Sequence, residues 1–244
     1  MIKDEFIDKC ISKQVLDVNN EERAAHKSSG KLSASALGQP LQWQILHCLG
    51  VEQKEFEEYT LRKFIRGKAV ERWLLDKMPD VIEEQRFAGY RGCAGYIDAI
   101  VDTKKWDFPS GIIPVEIKST SNMKFKRILR NGADESHKLQ AGYYALCEGT
   151  PRYAVVYVST DDMRIETYIY KTADIKDKID AIITRFDKQR KIGVPVFVPE
   201  EKWQENPKYN NYPGFSYITQ KEIDEAMEAF YKISKVDEPK TDNQ

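Results

Sequence analysis

The chain has 244 residues, 41% hydrophobic content and a formal net charge of −1. That is enough apolar material for one sizeable core, while no run of about 18 apolar residues is present to cross a membrane. Bulk charge gives no nucleic-acid signal. Cys10, Cys48, Cys93 and Cys147 lie far apart, with no C-x-x-C pair, which argues against a zinc knuckle or a disulfide framework. The charged start, "MIKDEFIDKC", lacks the apolar centre of a signal peptide, so a cytoplasmic location is expected.

Residues 1–31 are mixed and polar, with a helical pattern in "EFIDKCISKQVLDV". In "SSGKLSASALGQPLQWQILHCLG", Ser33 or Ser35 is the candidate cap of a short helix carrying Leu37, Leu41, Ile45 and Leu46. "EFEEYTLRKFIRGKAVERWLLDKM" is a long amphipathic helix with Phe56, Leu61, Phe64, Ile65, Val70, Trp73 and Leu74 near helical spacing, stopped by Pro79. Three strands follow, "DVIEEQRFAGY", "CAGYIDAIVDT" and "GIIPVEIKST". "ESHKLQAGYYALCEG" is a helix ending at Gly149. "RYAVVYVST" and "MRIETYIYK" are two more strands, and "DIKDKIDAIITRFDKQRK" another helix. The Pro-, Asn- and Tyr-rich stretch after it is expected to be irregular, "QKEIDEAMEAFYKIS" to be a final helix, and residues 235–244 a disordered tail. The expected divisions are 1–31, a core over 32–195, an extension over 196–234, and the tail.

The stretch "PVEIKSTS" carries the chemistry. Strand residues i and i+2 share a face, so Glu116 and Lys118 lie side by side with Val115 and Ile117 on the other face. The triplet alone is cheap: Glu52/Lys54, Asp102/Lys104, Asp174/Lys176, Glu200/Lys202 and Glu238/Lys240 repeat it. Its setting is not, because an antiparallel neighbour brings Asp98, in "GYIDAIV", beside Glu116. Two carboxylates on adjacent strands suit Mg²⁺ or Mn²⁺. Such an ion lowers the pKa of a bound water and stabilises phosphoryl charge, and Lys118 is placed to position the water or offset developing charge. The alternative is a buried ion triad, which gains little stability. Between Lys118 and Lys138 there are six bases and two acids, a net of +4 that reads either as a phosphate-binding patch or as a solvated loop.

Asp98 followed after 18 positions by Glu116-x-Lys118 resembles the PD-(D/E)XK nuclease superfamily, with Ile97 in place of the signature proline. "HKLQAGYYAL" resembles the Q-x-x-x-Y helix of RecB-like nucleases through Gln140 and Tyr144. "RGKAVERW" resembles their G-x-x-x-H helix, with Gly67 in register and Glu71 at the histidine position, as in the lambda-exonuclease-like branch. The resemblance spans about residues 32–170. It implies an α/β fold with a restriction-endonuclease-like αβββαβ core, a mixed central sheet flanked by helices, an N-terminal helical section and a C-terminal extension. It implies Mg²⁺ or Mn²⁺ held by Asp98, Glu116, the Ile117 carbonyl and Glu71, although Glu71 also reads as a surface acid paired with Lys68 or Lys77. Lys118, Gln140 and Tyr144 complete the implied site; Tyr144 also reads as core. Glu84 is a weaker candidate. Lys124, Lys126, Arg127 and Arg130 are the expected phosphate contacts, and Tyr90, Trp106 and Phe108 read equally as base-stacking rings or as core or loop packing.

Some relatives hold an iron–sulfur cluster. "LSASALGQPLQW" is similar to its first site but has Gln39 where cysteine is required, so no cluster is expected. The implied function is a DNA exonuclease of phage or bacterial recombination, repair or replication. DNA, a recombination or replication protein and a second copy of the chain are the expected partners. The rivals are a non-catalytic binding protein on the same fold and a structure-specific endonuclease.

Overall fold

Alternating β-branched and polar residues over 81–120 produce three consecutive antiparallel strands, β2 (Val81–Tyr90), β3 (Cys93–Asp102) and β4 (Ile112–Thr120). Arg91 and Gly92, with φ of 51° and 77°, close the β2–β3 hairpin in the two-residue, positive-φ geometry that strand twist favours. In this computed structural model the described residues are 6–25, 30–51, 53–105, 111–192 and 212. Trp106, Phe108, the extension expected over 196–234 with its final helix, apart from Tyr212, and the tail over 235–244 lie outside them.

After β4 the chain crosses over through α4 (Asn122–Asn131) and α5 (Glu135–Glu148) and returns as β5 (Arg152–Ser159), parallel to β4. β6 (Ile165–Lys171) pairs antiparallel with β5, and α6 (Ala173–Ile192) follows. Ahead of this core lie α1 (Phe6–Ala25), β1 (Leu32–Ser33), a short 3₁₀ turn (Ala34–Ala36), α2 (Leu41–Cys48) and α3 (Glu58–Leu75). The result is a six-stranded mixed sheet, β1-β3-β4-β5-β6 with β2 on β3, flanked by helices as the sequence implied.

Two apolar clusters cover the two faces. Val70, Leu74 and Leu75 of α3 pack on Ala99, Val101, Ile113, Val115, Ile117, Ala154, Val156 and Val158. The opposite face is larger and takes in α2, α5 and α6, with Ile97, Leu139, Tyr144, Tyr153, Tyr157, Ile179 and Phe186. β4 thus alternates cleanly, with Ile113, Val115 and Ile117 toward α3 and Glu116 and Lys118 toward α5.

At four places the structure corrects an expectation or decides between open readings. α2 begins at Leu41 behind Pro40 with no side-chain cap; Ser33 and Ser35 instead bond each other through their hydroxyls, 2.6 Å apart. Proline fits a helix start because the donor it lacks has no intrahelical partner there. On α3, Leu61, Val70, Leu74 and Leu75 are buried, whereas Phe64 and Ile65 are about half exposed, at 49% and 52%. The basic stretch after β4 is not a loop: α4 is a helix whose Ser121 side chain accepts from the Lys124 amide and whose Phe125 and Ile128 are buried. Tyr90 is committed within the fold. Its amide donates to Tyr143 Oη at 2.7 Å and its hydroxyl approaches Asp180, leaving it poorly placed to stack on a base.

Candidate active site

β3 is paired along one edge by β2, over residues 93–101. Its other edge is shared: β1 takes Cys93 and Ala94, and β4 takes Ala99 to Asp102. Among the described residues, no strand therefore pairs with 95–98 on that edge, and the sheet carries a notch between β1 and β4. Asp98 lines it. Its Oδ2 accepts the Ile117 amide at 2.7 Å, so a side chain supplies the acceptor that the diverging strand no longer provides. Gln85, opposite Asp98, adopts a φ of 51°, and Ile97 and Ile100 enter the same core cluster although a regular strand would send them to opposite faces.

Glu116 stands beside the notch and is 1% exposed. Lys118 Nζ forms an ion pair with Glu116 Oε1, and among the described residues Oε2 is met by no donor. A buried carboxylate left so short of donors is costly. Burial pushes its pKa up to about 8, the Asp98 and Glu71 charges add to this, and Lys118 opposes it. Asp98 is also raised, by burial against the pull of the Ile117 amide and Lys118. Glu71 is raised by burial and then by Asp98. For Lys118, burial favours the neutral amine, but Glu116, Asp98 and Glu71 together hold it charged.

Gly67 brings α3 onto β4. A Cβ there would lie 3.2 Å from Ser119 Oγ, and Glu71, one turn on along the same helix face, is thereby carried to the Asp98 side of the notch. Gln85 Nε2 donates to Glu71 Oε1 at 2.9 Å. Glu84 is drawn away to Arg72, at 2.8 Å. On α5, Gln140 Nε2 donates to Tyr144 Oη at 3.3 Å. Tyr144 is 2% exposed, and its phenol is raised by burial and by the Glu116 and Asp98 charges. Tyr144 is thus both a core ring and a neighbour of the carboxylates.

Gly95 fixes this last contact. A Cβ at Gly95 would meet Ala34 Cβ and Tyr144 Oη at 2.8 Å each. Gly95→Ala is therefore expected to cost about 1–3 kcal/mol by overpacking and to displace Tyr144 from the notch. Thermal melting checks the first effect. A crystal structure of the variant checks the second.

The donor set fits a hard divalent cation. Three carboxylates against one ammonium leave a charge of −2 when all are ionised, and among the described residues Lys118 is the one donor that meets the buried Glu116 carboxylate. Among the described residues no group of three His, Cys, Asp or Glu side chains converges as a metal cage, and Glu71 is engaged by Gln85. Magnesium does not need such a cage: it binds through one or two carboxylates and keeps several waters.

No family model and no curated protein sequence matches the chain. Solved structures similar to it include LHK-Exo in complex with dAMP, at 14% identity and a TM-score of 0.45 over 66% of this chain and 89% of that one. The alkaline exonuclease LHK-Exo from Laribacter hongkongensis is 16% identical with a TM-score of 0.43, over 69% and 93% of the two chains. The protein SSO0001 is 19% identical with a TM-score of 0.45, over 71% and 86%.

The four expected phosphate contacts divide into two pairs. Lys124 and Arg127 both reach Asp134, at 3.0 Å each. Lys126 and Arg130 are exposed on α4. Three residues at the site were not singled out from sequence. Gln85 gives no signal before its pairing opposite Asp98 is known. His137 lies one turn ahead of Gln140 on α5, a spacing that was readable. Its partner Tyr157 comes from β5, which was not.

Proposed function

We propose that the chain is a divalent-metal-dependent nuclease of the PD-(D/E)XK type that hydrolyses DNA phosphodiester bonds, most plainly as an exonuclease serving recombination, repair or replication. The observation that carries this reading is the buried Glu116 carboxylate, met by Lys118 on one oxygen and by no donor among the described residues on the other, set with Asp98 at a break in the sheet.

Asp98, Glu116 and the Ile117 carbonyl would hold the cation, with Glu71 beside them. Bound there, Mg²⁺ or Mn²⁺ supplies Lewis-acid activation of water and neutralises phosphoryl charge. The protein's own groups do the rest. Lys118, held charged by its acidic neighbours, orients the attacking water or meets the charge that grows on the phosphate. The Ile117 amide fixes Asp98. Gln140 and Tyr144, bonded to each other, hold the α5 side of the notch. The rim cations retain the DNA backbone.

Incubation with linear and closed circular DNA tests the reading. Nucleotides released from linear DNA with Mg²⁺, none with EDTA, and intact circles are the expected result. Nicked circles would move the assignment to an endonuclease. Binding without cleavage on every DNA form would favour a non-catalytic module.

The rim makes a separate prediction. Lys126→Ala and Arg130→Ala should each lower the salt slope of DNA binding by about one unit. Lys124→Ala and Arg127→Ala should lower it less, because Asp134 already shares their charge. Anisotropy titrations at several salt concentrations distinguish the two pairs.

A further inference from the structure

We propose that His137 is a phosphate-binding residue of this site, donating a hydrogen bond from Nε2 to an anionic phosphate oxygen beside Lys118. The choice of ligand rests on the nuclease reading; the hydrogen-bond chain does not.

Lys118 and Tyr157 are register partners on the adjacent parallel strands β4 and β5. Partners in register share a face about 4.8 Å apart, so Tyr157 stands next to Lys118 on the α5 side. Tyr157 Oη accepts the Asp134 amide at 3.0 Å and lies 2.7 Å from His137 Nδ1. A phenol has a single proton to donate. With the Asp134 amide as donor on one side, that proton goes to Nδ1. Nδ1 is then the acceptor, and the neutral ring carries its proton on Nε2.

A second proton is disfavoured. Burial, then the Lys118 and Lys124 ammonium groups, hold the His137 pKa down to about 4, against the pull of Asp134. Asp134 Oδ2 is 4.0 Å from Nδ1 and already engages Lys124 and Arg127. The side chain is 18% exposed, and among the described residues Nε2 meets no acceptor. A fixed N–H donor on a partly exposed ring, with two ammonium groups bearing on it, calls for an anion. A phosphate oxygen offers both the charge and the lone pair. His137 and Gln140, three apart on α5, share a face of that helix, which puts the ring on the side of α5 that carries the implied site.

The test is nitrogen-15 NMR of the imidazole rings in the full chain at neutral pH without metal. His137→Ala assigns the signal. The expected result is the Nε2–H tautomer, with a His137 shift when inorganic phosphate or a thymidine dinucleotide is added. A response to phosphate alone would place a terminal phosphate there, and a response to the dinucleotide an internal phosphodiester. In binding assays with EDTA, His137→Asn should weaken oligonucleotide affinity about tenfold, the loss of one charge-assisted hydrogen bond. His137→Gln, which keeps a donor near the Nε2 position, should restore most of it. An Nδ1–H tautomer, or a signal unmoved by both ligands, overturns the proposal, whether or not the protein cleaves DNA. A shifted His137 in a chain that cleaves nothing would instead sink the nuclease reading and leave this one standing.

Discussion

Lys118→Ala should lower DNA turnover by about 10²–10³-fold, the scale for removing one preorganised charge or donor from a transition state, while DNA binding changes only a few-fold. The split follows from where Lys118 sits. Its ammonium is paired with the buried Glu116, at the notch and not on the exposed rim, so on the proposed reading it would act at the reacting centre and add little to general backbone attraction. Lys118→Arg should recover only part of the loss, because a planar guanidinium does not reproduce a compact ammonium. Single-turnover cleavage and metal-free binding, measured side by side, separate the two effects. Equal losses in binding and turnover would make Lys118 an ordinary phosphate contact.

The second large effect is on stability. Glu116 titrates at about 8 in the fold against an ordinary 4.5. Between those values the folded chain keeps a proton that the unfolded chain has released. Stability must therefore fall as pH rises from 4.5 to 8. Asp98 and Glu71, also raised, act with the same sign. The rise at Glu116 corresponds to an effect on the order of a few kcal/mol. On the proposed reading, Mg²⁺ or Mn²⁺ would bind the ionised carboxylates and displace the proton, so the cation should restore what pH removes. The gap in melting temperature between excess Mg²⁺ and EDTA should be small near pH 5 and widen toward pH 8. A gap independent of pH would mean that Glu116 is not a ligand.

Much of this geometry was legible in the sequence because it rests on short periods. Period-2 alternation put Glu116 and Lys118 on one face and Val115 and Ile117 on the other, and the structure has the same arrangement. The helix carrying Gln140 and Tyr144, with its left-handed Gly149 stop, was equally readable. α4 was not, because only Phe125 and Ile128 of its ten residues are buried and the charges hid that pair. The exposure of Phe64 and Ile65 depends on how far α3 overlaps the sheet, which no helical spacing specifies. The notch itself is a tertiary feature: it requires β1 and β4 to share one edge of β3. The His137–Tyr157 pair needs a crossover of 20 residues.

One measurement tests the central claim most directly: nucleotide release from end-labelled linear DNA by the natural chain and by Glu116→Gln, each with Mg²⁺ and with EDTA. Glu116→Gln keeps the shape of the buried side chain and removes its charge. The account predicts release by the natural chain with Mg²⁺ alone and none by the folded variant. Equal release by the variant, or release that persists in EDTA, would contradict it.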